Sequence, residues 1–210
     1  LITNWGKVFQ YSENSNDFYS SSATVNSDEN LQRNTAYNQT DLLQKFFIPL
    51  TDKTELKLNL QYSTSSDILR FDRLDEKHEG TLKFAEWYYG PQERFLISPQ
   101  LVINPGKSWL DKGTFTLAYQ NIKESRIQRK LSSLERSYRN ENVDIFSVNG
   151  DFMIPLSKNE NRAFTYGFEF LHNDVISDAF GKTLEVLGND IIGTSDNFNV
   201  QTRYPDGGSS

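Results

Sequence analysis

The chain has 210 residues, a formal net charge of −6, no cysteine and two histidines. The lack of cysteine excludes a disulfide scaffold, a thiolate nucleophile and a zinc–thiolate site, and the acidic balance argues against a general nucleic-acid binder. Only 36% of the residues are hydrophobic, yet 13% are aromatic, which is too much for a disordered chain. We therefore expect one folded domain or part of a larger one.

Residues 1–36 are rich in Ser, Asn and Asp, with scattered aromatic side chains. This composition predicts a long, irregular loop region before the first strand. The chain starts on Leu1 rather than Met, and its last residues, Asp206–Ser210, are typical of the middle of a loop. We therefore expect the sequence to be an internal piece of a longer protein.

From about Tyr37 the dominant signal is a period of two. Leu56, Leu58 and Leu60 alternate with polar residues such as Lys57 and Asn59, so one face of the strand is apolar and the other polar. Because this period recurs, the sequence predicts an all-β fold, an antiparallel up-and-down meander of about six long strands. The predicted strands are 37–50, 54–66, 81–104, 113–131, 138–156 and 162–180.

The connections between the predicted strands alternate between short and long. Short polar turns are predicted near 51–54, 106–113 and 157–162. Long connections are predicted over 65–90, 131–142 and 181–210. This alternation puts every tight turn at one end of the sheet and every long loop at the other. Such a layout is typical of outer-membrane β-barrels, so 181–210 is expected to be an external loop.

One local signal competes with this pattern at Asn149–Gly150, the pair most favoured in two-residue hairpin turns. A turn there would place Val148 opposite Asp151 and would mix polar and apolar residues on both faces. A strand that runs straight through keeps the even-numbered positions from Phe146 to Ile154 free of polar side chains. We therefore predict one continuous strand.

The apolar face of the meander has two possible neighbours. In a barrel it faces lipid, and the opposite face lines a hydrated lumen. In a soluble secreted β-sandwich or carbohydrate-binding module it packs on a second sheet. The direction of the aromatic side chains of Phe164–Phe170 distinguishes the two. The predicted lipid-facing residues include Leu56, Leu58, Leu60, Phe115, Leu117, Phe152, Phe164, Phe168 and Phe170. The predicted lumen-facing residues are Lys57, Asn59, Gln61, Asp151 and Glu169.

Three segments resemble TonB-dependent outer-membrane receptors of Bacteroidetes-type bacteria. They are Phe84–Gln92 (FAEWYYGPQ), Ala118–Arg126 (AYQNIKESR) and Thr202–Gly208 (TRYPDGG). The resemblance implies a 22-stranded barrel in the outer membrane of a Gram-negative bacterium, of which this chain is an internal portion. It also implies active uptake of a scarce ligand, such as a ferric siderophore or haem, driven by the TonB system through an N-terminal plug. Neither the plug nor a TonB box is among the 210 residues. A passive porin-like barrel remains an alternative.

Trp87, Tyr88 and Arg126 are the candidate ligand-binding residues. In a receptor they would contact the imported ligand, whereas in a carbohydrate-binding module the two aromatic residues would stack on sugars. Arg126 should share one strand face with Glu124 and Gln128, which could form a polar conduit or bind an anionic iron chelate. The sequence contains no nucleophile motif or Gly-rich phosphate loop, so we expect no enzyme and no cofactor. Asp72, Asp75 and Glu76 lack EF-hand spacing, and we expect no metal site.

Overall fold

The computed structural model describes residues 34–156, 162–188, 190–205 and 208–209. Within these residues 75% of the chain is β-strand and 2% is helix, which confirms the predicted all-β fold. Residues 1–33 of the loop region expected over 1–36 lie outside the described residues, as do residues 157–161 of the third predicted turn.

The structure contains long strands, several very short ones and one short helix. In chain order these are β1 (Gln39–Thr51), β2 (Thr54–Ser65), β3 (Ile68–Leu69), α1 (Phe71–Leu74), β4 (Lys77–His78), β5 (Thr81–Leu82), β6 (Phe84–Tyr89), β7 (Glu93–Ile103), β8 (Lys112–Lys130), β9 (Glu135–Pro155), β10 (Ala163–Leu187), β11 (Asp190–Asn199) and β12 (Gly208–Ser209).

The long strands form one curled antiparallel sheet in the order β1–β2–β7–β8–β9–β10–β11. Each long strand pairs with the next long strand along the chain, so the predicted up-and-down meander is confirmed. The register is regular enough to follow a row of directly opposed residues across six strands. One such row is Ile48, Leu56, Leu101, Phe115, Gly150 and Phe168.

The third predicted strand, 81–104, is divided in the structure: β5 pairs with β4 in a separate two-stranded sheet, and the large sheet contains β6 and β7. Both segments pair with β8, Tyr89 opposite Arg126 and Glu93 opposite Lys123, so the interruption is a local bulge. At the bulge the Gly90 backbone N–H donates to the Ser125 carbonyl oxygen at 3.0 Å. A Cβ on Gly90 would lie 2.0 Å from the Ser125 hydroxyl, so a larger residue here would have to displace the Ser125 side chain.

Within the described residues, the predicted contrast between short turns at one end of the sheet and long loops at the other holds only for the β2–β7 connection. The end that carries the connections 52–53, 104–111 and 156–162 is called the turn end, and the opposite end is called the loop end. The connection between β2 and β7 at the loop end is long and contains β3, α1, β4, β5 and β6.

The other loop-end connections are shorter than the sequence predicts. The loop predicted over 131–142 is reduced to Leu131–Leu134, because the β8–β9 ladder continues to the pair Arg129–Arg136. The loop expected over 181–210 is in part a hairpin, since β10 continues to Leu187 and pairs with β11. These corrections share one cause. Neither 135–137 nor 181–187 has one apolar and one polar face, so the period of two predicts no strand there, whereas backbone ladder bonds form without that alternation.

The hairpin signal at Asn149–Gly150 is overridden by the sheet. Asn149 pairs with Thr116 and Glu169, and Gly150 pairs with Phe115 and Phe168, so β9 is continuous as predicted. A Cβ on Gly150 would lie 2.6 Å from the Phe168 ring. Glycine therefore leaves room here for the neighbouring aromatic side chains.

The described residues contain a small buried core at the loop end. Leu74 of α1 packs with Phe84 and Trp87, and Leu82 and Tyr89 flank this cluster. A bulge between Phe84 and Glu86 brings Phe84 and Trp87 to the same face of the sheet. The core thus holds the β2–β7 connection against one face.

Candidate functional site

The main surface feature is an apolar band on one face of the sheet. The register places all the predicted lipid-facing residues on this face, together with further apolar residues. The band comprises Leu42, Phe46, Ile48, Leu56, Leu58, Leu60, Tyr62, Phe95, Ile97, Pro99, Leu101, Ile103, Phe115, Leu117, Tyr119, Phe146, Val148, Phe152, Ile154, Phe164, Tyr166, Phe168 and Phe170.

The apolar band is exposed. Phe164 retains 53% of its accessible surface, Phe168 51% and Phe170 62%. In the described ranges the sheet is a single layer, and no described element packs over the band. The aromatic side chains of Phe164–Phe170 therefore meet no second sheet within the part of the chain that the structure describes.

Aromatic rings contact one another along the band. Phe152 stacks on Tyr166 with ring centroids 5.3 Å apart, and Tyr119 lies 4.8 Å from Phe146. Such lateral contacts contribute about 0.5–1.5 kcal/mol per pair beyond burial. They hold the side chains in place although one side of each ring is free.

The opposite face, called the polar face, carries the predicted lumen-facing residues. Lys57, Asn59, Gln61, Asp151 and Glu169 all lie on it by register. Open cavities lie on this face, one of about 500 Å³ lined in part by Lys112 and Asp151, and one of about 390 Å³ lined in part by Lys45 and Lys57. The polar face can therefore hold water and polar solutes.

A polar row borders the band at the loop end. The Tyr119 hydroxyl donates to Asp144 at 2.7 Å, and Asn121 donates to both Asp144 and Asn142. At the turn end Trp109 retains 67% of its surface. Amphipathic aromatic residues thus lie beside the band at both of its borders.

The predicted ligand-binding residues lie at the loop end, but not on one surface. Trp87 and Tyr88 are consecutive residues of β6 and therefore point to opposite faces of the sheet. Trp87 retains 7% of its surface and packs in the core with Leu74. Its ring is covered by this packing, so it offers no open stacking surface here.

Arg126 contacts the ring of Tyr89 and not that of the predicted partner Tyr88. Its guanidinium lies 5.3 Å from the Tyr89 ring and pairs with Glu124 at 2.9 Å. Arg126, Glu124 and Gln128 share one face, as their spacing predicts.

The aromatic pair Trp87 and Tyr89 is held by cations of the β2–β7 connection. Arg70 lies 5.5 Å from the Trp87 ring and 5.2 Å from the Tyr89 ring, and Arg73 lies 5.1 Å from Trp87. Arg70 also donates to Asp72, and this hydrogen bond lowers the pKa of that carboxyl group. These contacts fasten α1 to the sheet by alternating guanidinium and aromatic groups.

A buried ion cluster, which sequence reasoning missed, lies on the side of Tyr88. Glu86 accepts hydrogen bonds from Arg129 Nε at 2.9 Å and from Arg136 Nε at 2.7 Å. Glu86 and Arg129 retain 6% and 1% of their surface, and burial raises the pKa of Tyr88 beside them. The available signal was the glutamate inside the apolar run Phe84–Tyr89.

Glu141 is a second buried acidic residue, and its burial was not predicted from the sequence. It retains 7% of its surface, and neither carboxylate oxygen has a hydrogen-bond partner in the structure. Burial raises the pKa of Glu141, and the charge of Glu124 adds to the rise. Its sequence neighbours are polar, so only the register shows that it lies opposite Glu124.

The remaining candidates form no catalytic or metal constellation. Asp72 is paired with Arg70, and Glu76 with Arg73 and Lys83. In the described ranges no group of three or more His, Asp or Glu side chains could hold a metal ion. None of the helices among the described residues is long and apolar enough to cross a membrane.

The chain matches no protein-family model, no curated protein and no solved structure.

Proposed function

We propose that the chain is part of a TonB-dependent outer-membrane receptor that takes up a scarce ligand, such as a ferric siderophore or haem. The observation that carries the proposal is the exposed apolar band on a single-layer sheet whose opposite face is polar. A face of this size is unfavourable in water, since each Å² of apolar surface left exposed forfeits about 25 cal/mol. In a membrane barrel the same face contacts lipid.

The slope of the band across the sheet supports a membrane neighbour. At the loop end, the last band residue is Tyr62 on β2 and Phe170 on β10. The residue of β10 in the same row as Tyr62 is Asp174, so this border shifts by 174 − 170 = 4 residues between the two strands. At the turn end, the last band residue is Leu56 on β2 and Phe164 on β10. The residue of β10 in the same row as Leu56 is Phe168, so this border shifts by 168 − 164 = 4 residues. Both borders therefore shift toward the turn end by the same amount.

This shift corresponds to a definite strand tilt. Four residues at about 3.3 Å each make about 13 Å along the strands, over four strand spacings of about 4.8 Å, or about 19 Å. If the borders of the band follow the planes of a membrane, this slope means that the strands are tilted by about 35° from the membrane normal. Strands of transmembrane barrels are usually tilted by about 35–45°.

The height and the borders of the band are also consistent with a bilayer. On β7 the band runs from Phe95 to Ile103, about 26 Å along the strand at about 3.3 Å per residue. With a tilt of about 35° this makes about 21 Å, close to the outward apolar band of about 25 Å in such barrels. Tyr62, Tyr119 and Trp109 lie near its borders, as interfacial aromatic residues do.

The receptor assignment rests on the resemblance of three segments and on the layout of the sheet. Strands β8, β9 and β10 continue well beyond the band at the loop end, and on β8 and β9 polar groups predominate there on both faces. In the proposed receptor this part is extracellular and meets the ligand first. The TonB system acts through a plug domain, which the resemblance implies.

Site-directed spin labelling tests the membrane orientation directly. The sequence has no cysteine, so Phe168→Cys and Glu169→Cys each give a single label, on adjacent residues of opposite faces. In vesicles of phosphatidylethanolamine and phosphatidylglycerol, we expect the label at 168 to collide mainly with oxygen and the label at 169 mainly with a water-soluble nickel chelate. Equal collision with the nickel chelate at both positions would contradict the proposal.

Growth assays test the transport activity. A strain that lacks the gene for this protein should fail to grow on one scarce iron source, and restoration should require an intact TonB system. Restoration without TonB would indicate a passive porin-like barrel. Normal growth on every ferric siderophore and on haem would argue against iron as the cargo.

A further inference from the structure

The polar face at the loop end contains an unusual pair of carboxyl groups. Glu124 of β8 and Glu141 of β9 are directly opposed in the register and lie on the same face. Directly opposed residues have Cβ atoms about 4.5–5.5 Å apart, so two glutamate side chains there can reach each other. The pair lies beyond the apolar band, outside the proposed membrane-spanning segments.

The two carboxyl groups differ in their partners. Glu124 accepts hydrogen bonds from Gln92 Nε2 at 3.0 Å and from Arg126 Nη2 at 2.9 Å. Glu141 is buried, and neither of its oxygens accepts a hydrogen bond in the structure. An ionised carboxylate that is buried without a partner is strongly unfavourable, whereas a neutral carboxyl group costs far less.

The charged groups that face Glu141 come from three segments. Glu124 and Arg126 lie on β8, Arg139 lies on β9 itself, and Arg203 lies in the segment after β11. On β10 the residue opposite Glu141 is the uncharged Ser177. Burial and the charge of Glu124 oppose ionisation of Glu141, and the three arginines favour it.

We propose that the buried Glu141, which lies opposite Glu124, holds a proton in the folded protein, and that release of this proton redirects Arg139 and Arg203 onto Glu141. In the structure Arg139 Nε donates instead to the Gln201 backbone carbonyl at 3.1 Å, which ties the segment 200–205 to β9. A negative charge on Glu141 competes for this guanidinium. The position of the segment 200–205 therefore depends on pH.

The direction of the pH effect on stability follows from the difference between the pKa of Glu141 in the folded and the unfolded protein. The pKa of Glu141 is raised in the folded protein above the value of about 4.3 for a free glutamate. The raised pKa means that neutral Glu141 contributes to the free energy of unfolding. This contribution is fully present below about pH 4.3 and is lost as the pH rises through the pKa of Glu141 in the folded protein. Relative to Glu141→Gln, the wild-type melting temperature should therefore fall with rising pH and then level off.

A single introduced cysteine reports on the segment. Thr202→Cys carries an environment-sensitive fluorophore, and we expect one sigmoidal change in its emission on titration above about pH 4.3. Glu141→Gln in this background should abolish the change, and Glu124→Gln should shift its midpoint to lower pH. The matched control Glu135→Gln, on the same strand and face, should leave the midpoint unchanged.

Several outcomes would overturn the proposal. They are a transition that persists in Glu141→Gln, a midpoint that does not move in Glu124→Gln, and the absence of any transition in the labelled protein. Far-UV circular dichroism of each variant verifies that the sheet is retained. The result is independent of the receptor function, because it does not require membrane transport.

Discussion

Glu86 shows how a single buried charge is accommodated in this sheet. Its carboxylate receives three hydrogen bonds, one from Arg129 and two from Arg136, on the neighbouring strands β8 and β9. Charge-assisted hydrogen bonds of this kind are about twice as strong as neutral ones. Removing one member leaves the others buried without compensation, so the cluster is expected to be far more sensitive than surface ion pairs.

Glu86→Gln should lower the free energy of unfolding of the loop-end region by about 3 kcal/mol. The amide keeps the shape of the side chain but removes the charge that both guanidinium groups face. The matched control is Glu93→Gln, which removes an exposed partner of Lys123 and should cost less than about 1 kcal/mol. Denaturant unfolding followed by circular dichroism measures both, and equal effects would contradict the buried-cluster interpretation.

At the scale of elements, the β2–β7 connection is more than a loop. It carries the helix α1, which packs through Leu74 against Trp87 and is held by Arg70 and Arg73 over the aromatic rings. The connection is therefore ordered by contacts with the sheet rather than by the propensity of a helix with a single turn. Trp87 is the residue on which most of these contacts converge.

Trp87→Ala should release this connection from the sheet. Truncating a buried tryptophan costs about 3–5 kcal/mol, and here the loss should be confined to residues 66–83 and β6. Hydrogen exchange measured by mass spectrometry should show faster exchange in this region only. Trp109→Ala, at the exposed tryptophan, serves as the control and should change exchange very little. If Trp87→Ala weakened ligand binding without changing exchange, the direct ligand contact expected from the sequence would be favoured.

At the scale of the whole molecule, the sheet has two faces and two open edges. Among the described residues, β1 pairs only with β2, and residues 163–173 of β10 pair only with β9. Backbone groups at these edges cannot remain unpaired in hydrocarbon. In addition, six strands cross the apolar band, which is fewer than the eight or so strands of the smallest barrels. The proposed receptor therefore needs an even number of further strands between these edges.

Leu58→Arg tests which solvent the apolar band meets. Leu58 lies near the middle of the band, where an arginine in lipid costs about 2–4 kcal/mol. Asn59→Arg, one residue further on the polar face, should cost much less because water reaches that face. The urea dependence of folding into lipid vesicles measures both variants. Similar costs for the two substitutions would contradict the lipid-facing assignment.

The sequence predicted the strand class, the meander and the division of residues between two faces, because each follows from the local period of two. It also predicted that β9 runs through Asn149–Gly150, since only that register keeps one face apolar. It did not predict the length of β10 or the hairpin with β11. Along these residues polar and apolar side chains occur on both faces, so no local period of two separates a paired strand from a loop.

The ligand-binding residues were predicted from their closeness along the chain, but the fold does not bring them to one surface. Trp87 and Tyr88 are adjacent in sequence but lie on opposite faces, and Arg126 meets Tyr89. Glu86 is 43 residues from Arg129 and 50 residues from Arg136, and it meets them only through the register of three strands.

The amino-acid sequence by itself determined that this protein forms strands with one apolar face, because side-chain direction in a strand is a local property. Which charges become buried, and which carboxyl groups stand opposite each other, was decided only by the tertiary structure. The reason is physical: cross-strand contacts depend on register, and register is fixed by pairing between residues distant in the chain.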